Sequence, residues 1–297
     1  MLRRFAGPDG PVAFDQAPPE QAVRLAYRIV LGRDPDPVGL ADYTGRLTAG
    51  TLTRDEMVRE MFVSEEFDAR SAYPGRFLHV SLHASRRDFI RGLPPARRIL
   101  DLGGGWKWSA EGALVVMGYP YAFEELVIVD LPSDERHPLY RSEDHPPVET
   151  RLGPVHYDYR SMTDLSGHPD GAYDLIYSGQ SIEHVPPEEA DLVLKEAYRV
   201  LRPGGVLALD TPNAAVCRLQ QEAFVDPDHQ VEYTHPEMRA KLIAAGFRLR
   251  EEKGLNYCGA SVRSGEFSWE EAARNRGIYA APADCYLLAY LAEKPWS

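Results

Sequence analysis

The sequence predicts an α/β protein in which a small all-helical domain precedes a sheet of largely parallel strands. The chain has 297 residues, which is enough for one large domain and a small one. Seven apolar runs alternate with helical patterns or long loops, at 98–102, 126–130, 154–157, 173–177, 206–209, 247–250 and 286–291. Strands that alternate with helices are typical of parallel sheets. We expect the helical domain over residues 18–70 and the sheet domain over residues 75–297.

The helical domain is predicted from short amphipathic segments. Residues 1–19 hold four prolines and predict a loose arm. Apolar residues at intervals of three and four, and a capping box, then predict helices over 20–31, over 38–48 and from Thr53 with Glu56 onward. Asp34 and Asp36 have the residue type of a calcium loop, but prolines alternate with them and the late Glu of such a loop is missing. We therefore expect a turn there.

Composition excludes several classes of function. Lys plus Arg number 33 against 45 Asp plus Glu, a net charge of −12, so the surface repels nucleic acid and anionic lipid. No run approaches the roughly 20 apolar residues that span a bilayer. We expect a cytoplasmic protein without membrane insertion. Cys217, Cys258 and Cys285 are too widely spaced for a zinc or redox motif, so we expect reduced, buried thiols.

A helix is predicted over 75–93, and the first strand after it carries the clearest functional signal. Asp101 ends an apolar run and is followed by Gly103, Gly104 and Gly105. Glycines after a strand let a ligand approach the backbone, and ligands bind at the carboxyl ends of strands in open α/β sheets. A dinucleotide fingerprint would require a glycine at the position of Trp108. The motif therefore indicates a nucleotide-like cofactor other than NAD.

This motif resembles the D-x-G-x-G start of class I S-adenosylmethionine-dependent methyltransferases of the type 11/12 kind. The resemblance continues through four further segments in the family's order: Val127-Ile128-Val129-Asp130, Tyr173 to Ser178, Ile182-Glu183-His184-Val185 and Val200 to Asp210. It covers roughly residues 75–295. It implies a Rossmann-like, seven-stranded sheet, S-adenosyl-L-methionine as the cofactor and methyl transfer as the reaction.

The resemblance also implies cofactor-binding residues. Asp130, at the end of the second strand, is expected to accept hydrogen bonds from both ribose hydroxyls. Gly103 and Gly105 would line the methionine portion, with Asp101 orienting the loop or the amino group. The remaining residues expected to face the cofactor are Ser161 and Met162 near the adenine, and Ser178 and Gln180 at the mouth of the pocket. Ser161 stands where the family often has an acid, and Met162 could instead be a core residue.

Candidate catalytic residues follow the fourth and fifth strands. His184 could take a proton from an acceptor hydroxyl, and Asp210 is expected to face the same cleft. His229 could equally be the base or a hydrogen-bonded loop histidine. Asp228, His229 and Glu232 have ligand types for a divalent ion, but an acid-rich loop is more often solvated, so no metal is expected.

Acceptor-binding residues are expected in two polar or aromatic segments. Tyr233 precedes a helix that Thr234 and Glu237 should cap. Asn256 and Tyr257 begin an insertion between the last two strands, which could form an acceptor lid or a separate hydrophobic cluster. The acceptor is expected to be a sugar, glycan or related small-molecule hydroxyl. A lipid-like or aromatic acceptor, and a non-catalytic scaffold on the same fold, are the alternatives.

The helical domain has a resemblance of its own. Tyr27 to Leu40, closed by Ser64-Glu65-Glu66-Phe67, is similar to a small helical domain related to phycobilisome linkers. That domain recurs on bacterial surface and glycan-related proteins, which motivates the glycan acceptor. It implies no chemistry, but the domain could dock to a partner or mediate a homo-oligomer.

Overall fold

The structure is a computed structural model that describes residues 5–7, 10–12, 14, 17–31, 33–62, 64, 66, 74–137 and 143–296. It divides into two compact units, Met1–Phe77 and Leu78–Ser297. Within the described residues, no helix is long and apolar enough to cross a bilayer.

The first unit is mainly helical. Its helices are Pro19–Ala26, continued by one π-helical turn at Tyr27–Leu31, then Pro37–Thr48 and Arg54–Phe62. The Thr53/Glu56 capping box is present, with the Thr53 amide donating to Glu56 Oε2 at 2.8 Å and the Glu56 amide to Thr53 Oγ1 at 3.2 Å. The buried core contains Val23, Ala26, Val30, Leu31, Met57 and Met61.

The arm before these helices differs from the prediction. Two short strands, β1 (Phe5–Gly7) and β2 (Gly10–Val12), pair antiparallel, with Gly7 opposite Gly10. Of the four prolines that suggested a loose arm, Pro11 lies in β2, opposite Ala6.

The Asp34/Asp36 segment forms a turn, as expected. Asp36 caps the helix Pro37–Thr48 by accepting a hydrogen bond from the Gly39 amide at 2.9 Å. Asp34 pairs with Arg28. In the segment that closes the resemblance, Glu66 accepts from Arg33, whereas Glu65 and Phe67 lie outside the described residues.

The helix Pro74–Arg91 crosses the boundary between the two units, and the second unit contains all seven predicted strands. They are β3 (Arg98–Leu102), β4 (Glu125–Asp130), β6 (Pro154–Tyr159), β7 (Tyr173–Gly179), β8 (Leu201–Pro212), β9 (Arg248–Tyr257) and β11 (Cys285–Glu293). Two-residue strands β5 (Val148–Glu149) and β10 (Ile278–Tyr279) extend the edges. The order across the sheet is β10-β9-β11-β8-β7-β3-β4-β6-β5.

Strand directions bring the functional segments to one edge of this sheet. β6, β4, β3, β7 and β8 are mutually parallel, and β11 is antiparallel to both β8 and β9. β9 therefore runs in the direction of the parallel strands. Their carboxyl ends, at which open α/β sheets bind ligands, lie along the same edge.

Helices cover both faces of the sheet. Successive residues of β3 and β4 enter opposite cores: Ile99 and Leu126 join one, Leu100 and Val127 the other. The remaining helices are Gly112–Val116, Pro187–Val200, Ala214–Gln220, His235–Ala244, Gly259–Ser264 and Trp269–Arg274, with 3₁₀ turns at Ile182–His184 and Pro282–Asp284. The three cysteines are buried and free, as expected.

Candidate active site at the carboxyl edge of the sheet

The glycine loop approaches two neighbouring strands so closely that side chains are excluded from it. Gly103 has φ +71°, and a Cβ there would lie 2.6 Å from the Ser181 Cβ. A Cβ on Gly105 would overlap the Asp130 carboxylate. The Gly103 amide donates to the Val129 carbonyl at 2.8 Å, which holds the loop against the end of β4. The segments that follow β3, β4 and β7, all singled out in the sequence analysis, therefore meet at one place.

Asp101 lies beneath this loop and is fully buried. Burial raises its pKa to about 8, although the Leu114 amide lowers it in part. Neither carboxylate oxygen makes a hydrogen bond of normal geometry to any described residue. A Cβ on Gly104 would overlap this carboxylate, so Asp101 supports the loop from below.

Asp130 ends β4 at the carboxyl edge of the sheet. Its Oδ1 accepts from the Leu131 amide at 2.8 Å and lies 3.7 Å from Arg136 Nε. Burial raises the pKa of Asp130, against the lowering effects of Arg136 and of the Leu131 and Gly105 amides. The carboxylate is therefore held in place beside Gly105, where two neighbouring hydroxyls could donate to it.

Met162 and Ser161, both predicted to lie near the adenine, have different surroundings in the structure. The Met162 methyl group would lie 3.5 Å from a Cβ on Gly103, so it borders the glycine loop. Ser161 Oγ instead lies 2.8 Å from Thr163 Oγ1 and accepts from the Thr163 amide. Met162 adjoins the expected cofactor space, and Ser161 stabilises the turn that carries it.

The loop after β7 is tied to Asp210 of β8. Gln180 has φ +56°, and its amide donates to the Asp210 carbonyl while its Nε2 donates to Asp210 Oδ1 at 2.9 Å. Ser178 is buried, with its Oγ 2.7 Å from Ser181 Oγ. A left-handed non-glycine residue is rare and commonly marks a constrained functional segment. Gln180 and Ser178 thus shape the loop that faces Gly103.

Asp210 itself is fully buried and accepts hydrogen bonds from several polar side chains. Arg86 Nε donates to its Oδ1 at 2.6 Å, and the Tyr177 hydroxyl donates to its Oδ2 at 2.5 Å. With Gln180, three donors converge on this carboxylate. This geometry favours an anchoring role for Asp210, and its predicted catalytic role stays a prediction.

Arg86 was missed by sequence reasoning, although a signal exists. Leu78, Leu82 and Ile90 occupy the apolar face of the helix Pro74–Arg91, and Arg86 falls between them at the same four-residue spacing. A charged residue on an apolar helix face needs a buried partner. His83 was missed as well: burial, with the nearby Arg86 charge, lowers its pKa to about 4, and its ring makes an edge contact with Trp106 of the glycine loop.

His184 and His229, which the sequence proposed as alternatives, lie side by side. Their rings contact edge to face with centroids 4.9 Å apart. His184 Nδ1 lies 2.9 Å from Asp228 Oδ2, and His229 Nδ1 lies 2.9 Å from Glu232 Oε1. Burial lowers the pKa of His229, but the hydrogen bond to Glu232 and the charge of Glu183 raise it above the ordinary histidine value overall.

Glu183 completes this group. It is fully buried, its Oε2 accepts from Thr211 Oγ1 at 2.9 Å, and its Oε1 lies 4.0 Å from His229 Nε2. Burial raises the pKa of Glu183. Sequence analysis included Glu183 in a motif but predicted no role for it, because His229, its neighbour in the fold, lies more than 40 residues further along the chain.

The three residues predicted to bind the acceptor are buried or half-buried. Tyr233 is 3% exposed, and burial raises its pKa to about 12. Asn256, at φ +57°, is fully buried and donates through Nδ2 to Ser81 Oγ and the Ala272 carbonyl. Tyr257 is half-buried and packs on Tyr279, with the two ring centroids 5.5 Å apart. The predicted capping box at Thr234 and Glu237 is present.

Comparison with known proteins adds the family. Residues 100–209 match a methyltransferase domain model, and residues 17–71 match a domain of unknown function, DUF4214. The first match spans β3 to β8, the part of the sheet that carries the glycine loop, Asp130 and the Glu183-His184 turn. The chain carries a class I S-adenosylmethionine-dependent methyltransferase domain.

Three relatives agree with this domain assignment. A probable S-adenosylmethionine-dependent methyltransferase of Mycolicibacterium smegmatis is 35% identical, over 42% of this chain and 49% of its own length. A sarcosine/dimethylglycine N-methyltransferase of Halorhodospira halochloris is 30% identical, over 54% and 60%. A ubiquinone biosynthesis O-methyltransferase of Xanthomonas campestris is 28% identical, over 62% and 77%. The chain thus spans about half to three-quarters of the length of these relatives.

A solved structure shows the same fold. A chain from the complex of the Haloferax volcanii Trm112 methyltransferase activator with a methyltransferase aligns with a TM-score of 0.50 and 16% identity, over 77% of this chain and 97% of that one. The predicted Rossmann-like methyltransferase sheet is confirmed.

The methyltransferase domain fits the cofactor that its family uses, S-adenosyl-L-methionine. The side-chain-free surface of Gly103–Gly105 leaves room for a ligand against the backbone, and a carboxylate stands beside it. Asp130 could accept hydrogen bonds from a diol, and Met162 offers an apolar surface to a ring. Asp101, fully buried below the loop, would support the backbone that such a ligand meets.

Proposed function

We propose that this protein transfers a methyl group from S-adenosyl-L-methionine to a hydroxyl of a sugar, glycan or related small molecule. The observation that carries the proposal is the meeting of three segments at one sheet edge: the glycine loop, Asp130, and the turn that holds His184. This meeting supports a cofactor and an acceptor that would bind next to each other at this edge.

The cofactor supplies a methyl group on a good leaving group, so the protein mainly has to align the acceptor and receive its proton. Gly103, Gly105 and Asp130 would hold the cofactor, with Met162 beside its ring. Gln180 and Ser178 would shape the wall between cofactor and acceptor. Asp210 would anchor that wall through Arg86 rather than contact the acceptor.

A polar acceptor is supported by the side chains near the turn that holds His184. His184 and His229 are each oriented by a carboxylate, and Glu183 is buried beside them. Such a polar group suits the hydroxyl of a polar molecule better than an apolar chain. The relation of helical domains like residues 18–70 to glycan-linked proteins adds support. The proposed cytoplasmic location of the enzyme rests on the sequence alone.

The test is methyl transfer from labelled cofactor to an acceptor panel of free sugars, nucleotide sugars, glycans, catechols and amines. We expect a singly methylated sugar or glycan product, identified by mass spectrometry and located by NMR, and no product with Asp130→Ala. Transfer only to nitrogen, or only to catechols, would contradict the acceptor proposal. Cofactor binding without transfer to any acceptor would favour a scaffold.

A further inference from the structure

We propose that Glu183, His184 and His229 form a binding site for one divalent transition-metal cation. One carboxylate oxygen and one nitrogen from each ring lie within 4.8 Å of one another. Two imidazoles and one carboxylate are a ligand set that proteins use for Zn²⁺ and for other divalent first-row metals. The site goes beyond the proposed function, because an ion can bind here whether or not the cofactor binds.

Glu183 provides the strongest observation. Its side chain is fully buried, and Thr211 fixes the carboxylate by donating to Oε2 at 2.9 Å. The other oxygen, Oε1, is buried without a hydrogen-bond partner among the described residues, and it lies 4.0 Å from His229 Nε2. A buried carboxylate oxygen without a partner is costly, and a cation between it and the imidazoles would remove that cost.

Both histidines are oriented in the way that metal ligands are. Asp228 holds Nδ1 of His184 and Glu232 holds Nδ1 of His229, each at 2.9 Å, so a bound ion would be held through Nε2 of each ring. Metal-bound histidines typically donate their other ring N–H to a carboxylate, which fixes the tautomer and the ring plane. The carboxylates are anchored in turn: Glu232 accepts from Arg218 at 2.8 Å and from the Val225 amide at 2.8 Å.

Charge also favours a cation. Three carboxylates, those of Glu183, Asp228 and Glu232, lie beside the two imidazoles, and among the ion pairs of the described residues Arg218 is the guanidinium that contacts one of them, Glu232. Acidic groups therefore outnumber guanidinium groups here, which favours a bound cation.

The backbone holds the two halves of the site together. The Gln230 and Val231 amides both donate to the Glu183 carbonyl, at 2.8 and 3.2 Å. Zinc bonds of about 2.0–2.2 Å place tetrahedral ligands roughly 3.4 Å apart, so ligand atoms that lie within 4.8 Å of one another would have to approach by at most about 1.4 Å.

The experiment is calorimetric titration of the full, metal-stripped chain with Zn²⁺, Mn²⁺ and Mg²⁺ in turn, without cofactor. We expect one Zn²⁺ or Mn²⁺ per chain and much weaker binding of Mg²⁺, because imidazole suits the transition metals. His229→Gln and Glu183→Gln should each weaken binding at least tenfold. His235→Gln is the matched control: its Nε2 lies 2.9 Å from Glu252 in a separate His–Glu pair, and binding should not change.

A second measurement covers variants that fold poorly. Co²⁺ bound to this ligand set should give visible absorption bands, and Asp228→Asn should weaken Co²⁺ binding about 10- to 100-fold while both imidazoles remain. Absence of saturable binding by folded wild type, or binding that His229→Gln leaves unchanged, would overturn the site. The cofactor titration is independent: cofactor binding without an ion would refute only this inference, and an ion without cofactor binding only the proposed function.

Discussion

Replacement of Arg86 by methionine should strongly destabilise the methyltransferase domain. Arg86 and Asp210 are 9% and 0% exposed, and their nearest atoms are 2.6 Å apart. Methionine keeps much of the arginine stem but leaves the Asp210 carboxylate buried without its cationic partner. Removal of one partner from a buried pair costs about 3–5 kcal/mol.

This free energy predicts a measurable shift in melting temperature. For a domain of this size, 1 kcal/mol corresponds to about 2–4 °C, so Arg86→Met should lower the Tm by roughly 6–20 °C. Arg274 is the matched control, because its pairing with Glu270 is 79% and 68% exposed. Arg274→Met should change stability by less than about 1 kcal/mol.

The assay is urea unfolding and thermal melting of the full chain, with the double variant Arg86→Met/Asp210→Asn as the decisive comparison. If the cost comes from an unpaired buried charge, the double variant should be more stable than Arg86→Met alone. A loss below about 1 kcal/mol for Arg86→Met, or a double variant that is no better than the single, would refute the reasoning.

Three further predictions concern stability. Gly39→Ala should destabilise the helical unit by about 1–3 kcal/mol in urea unfolding, because the new Cβ would overlap the Tyr27 hydroxyl. Gly45→Ala is the control: a Cβ there would have no atom within 4 Å, so this change should stabilise the unit by up to about 1 kcal/mol. Equal effects of the two substitutions would contradict this prediction. Burial raises the pKa of Asp101 from 3.8 to about 8, so the folded state binds a proton that the unfolded state has lost, and the free energy of unfolding should fall as the pH rises between these values. Asp101→Asn should flatten this dependence of unfolding free energy on pH, measured from pH 5 to 9. An unchanged dependence would contradict the prediction. Thr234→Ala should cost about 1 kcal/mol through loss of its helix cap, measured by the same unfolding, and no loss would contradict it.

The sequence was sufficient for features that depend on neighbours along the chain. The seven strands follow from apolar runs bounded by breakers, and the cap at Thr234 depends on Glu237 three residues later. Parallel pairing then places the ends of β3, β4 and β7 together, which is why the glycine loop and Asp130 could be predicted to meet.

Features that depend on distant parts of the chain were not predictable in this way. Arg86 and Asp210 are 124 residues apart, and only the folded structure shows that they pair. Asn256 was predicted to bind an acceptor because it lies in an aromatic insertion, but its side chain is used to bind Ser81, 175 residues away. The pairing of His229 with Glu183 likewise depends on a loop packing onto the end of β7.

The central claim is that the carboxyl edge of this sheet binds S-adenosyl-L-methionine through Asp130. The most direct test is calorimetric titration of the cofactor and of its demethylated product into wild type, Asp130→Ala and the control Glu135→Ala. Glu135 is an exposed carboxylate five residues further along the chain. We predict saturable binding by wild type and by the control, weakened at least tenfold in Asp130→Ala. Absence of binding to folded wild type, or equal binding by all three proteins, would contradict the account.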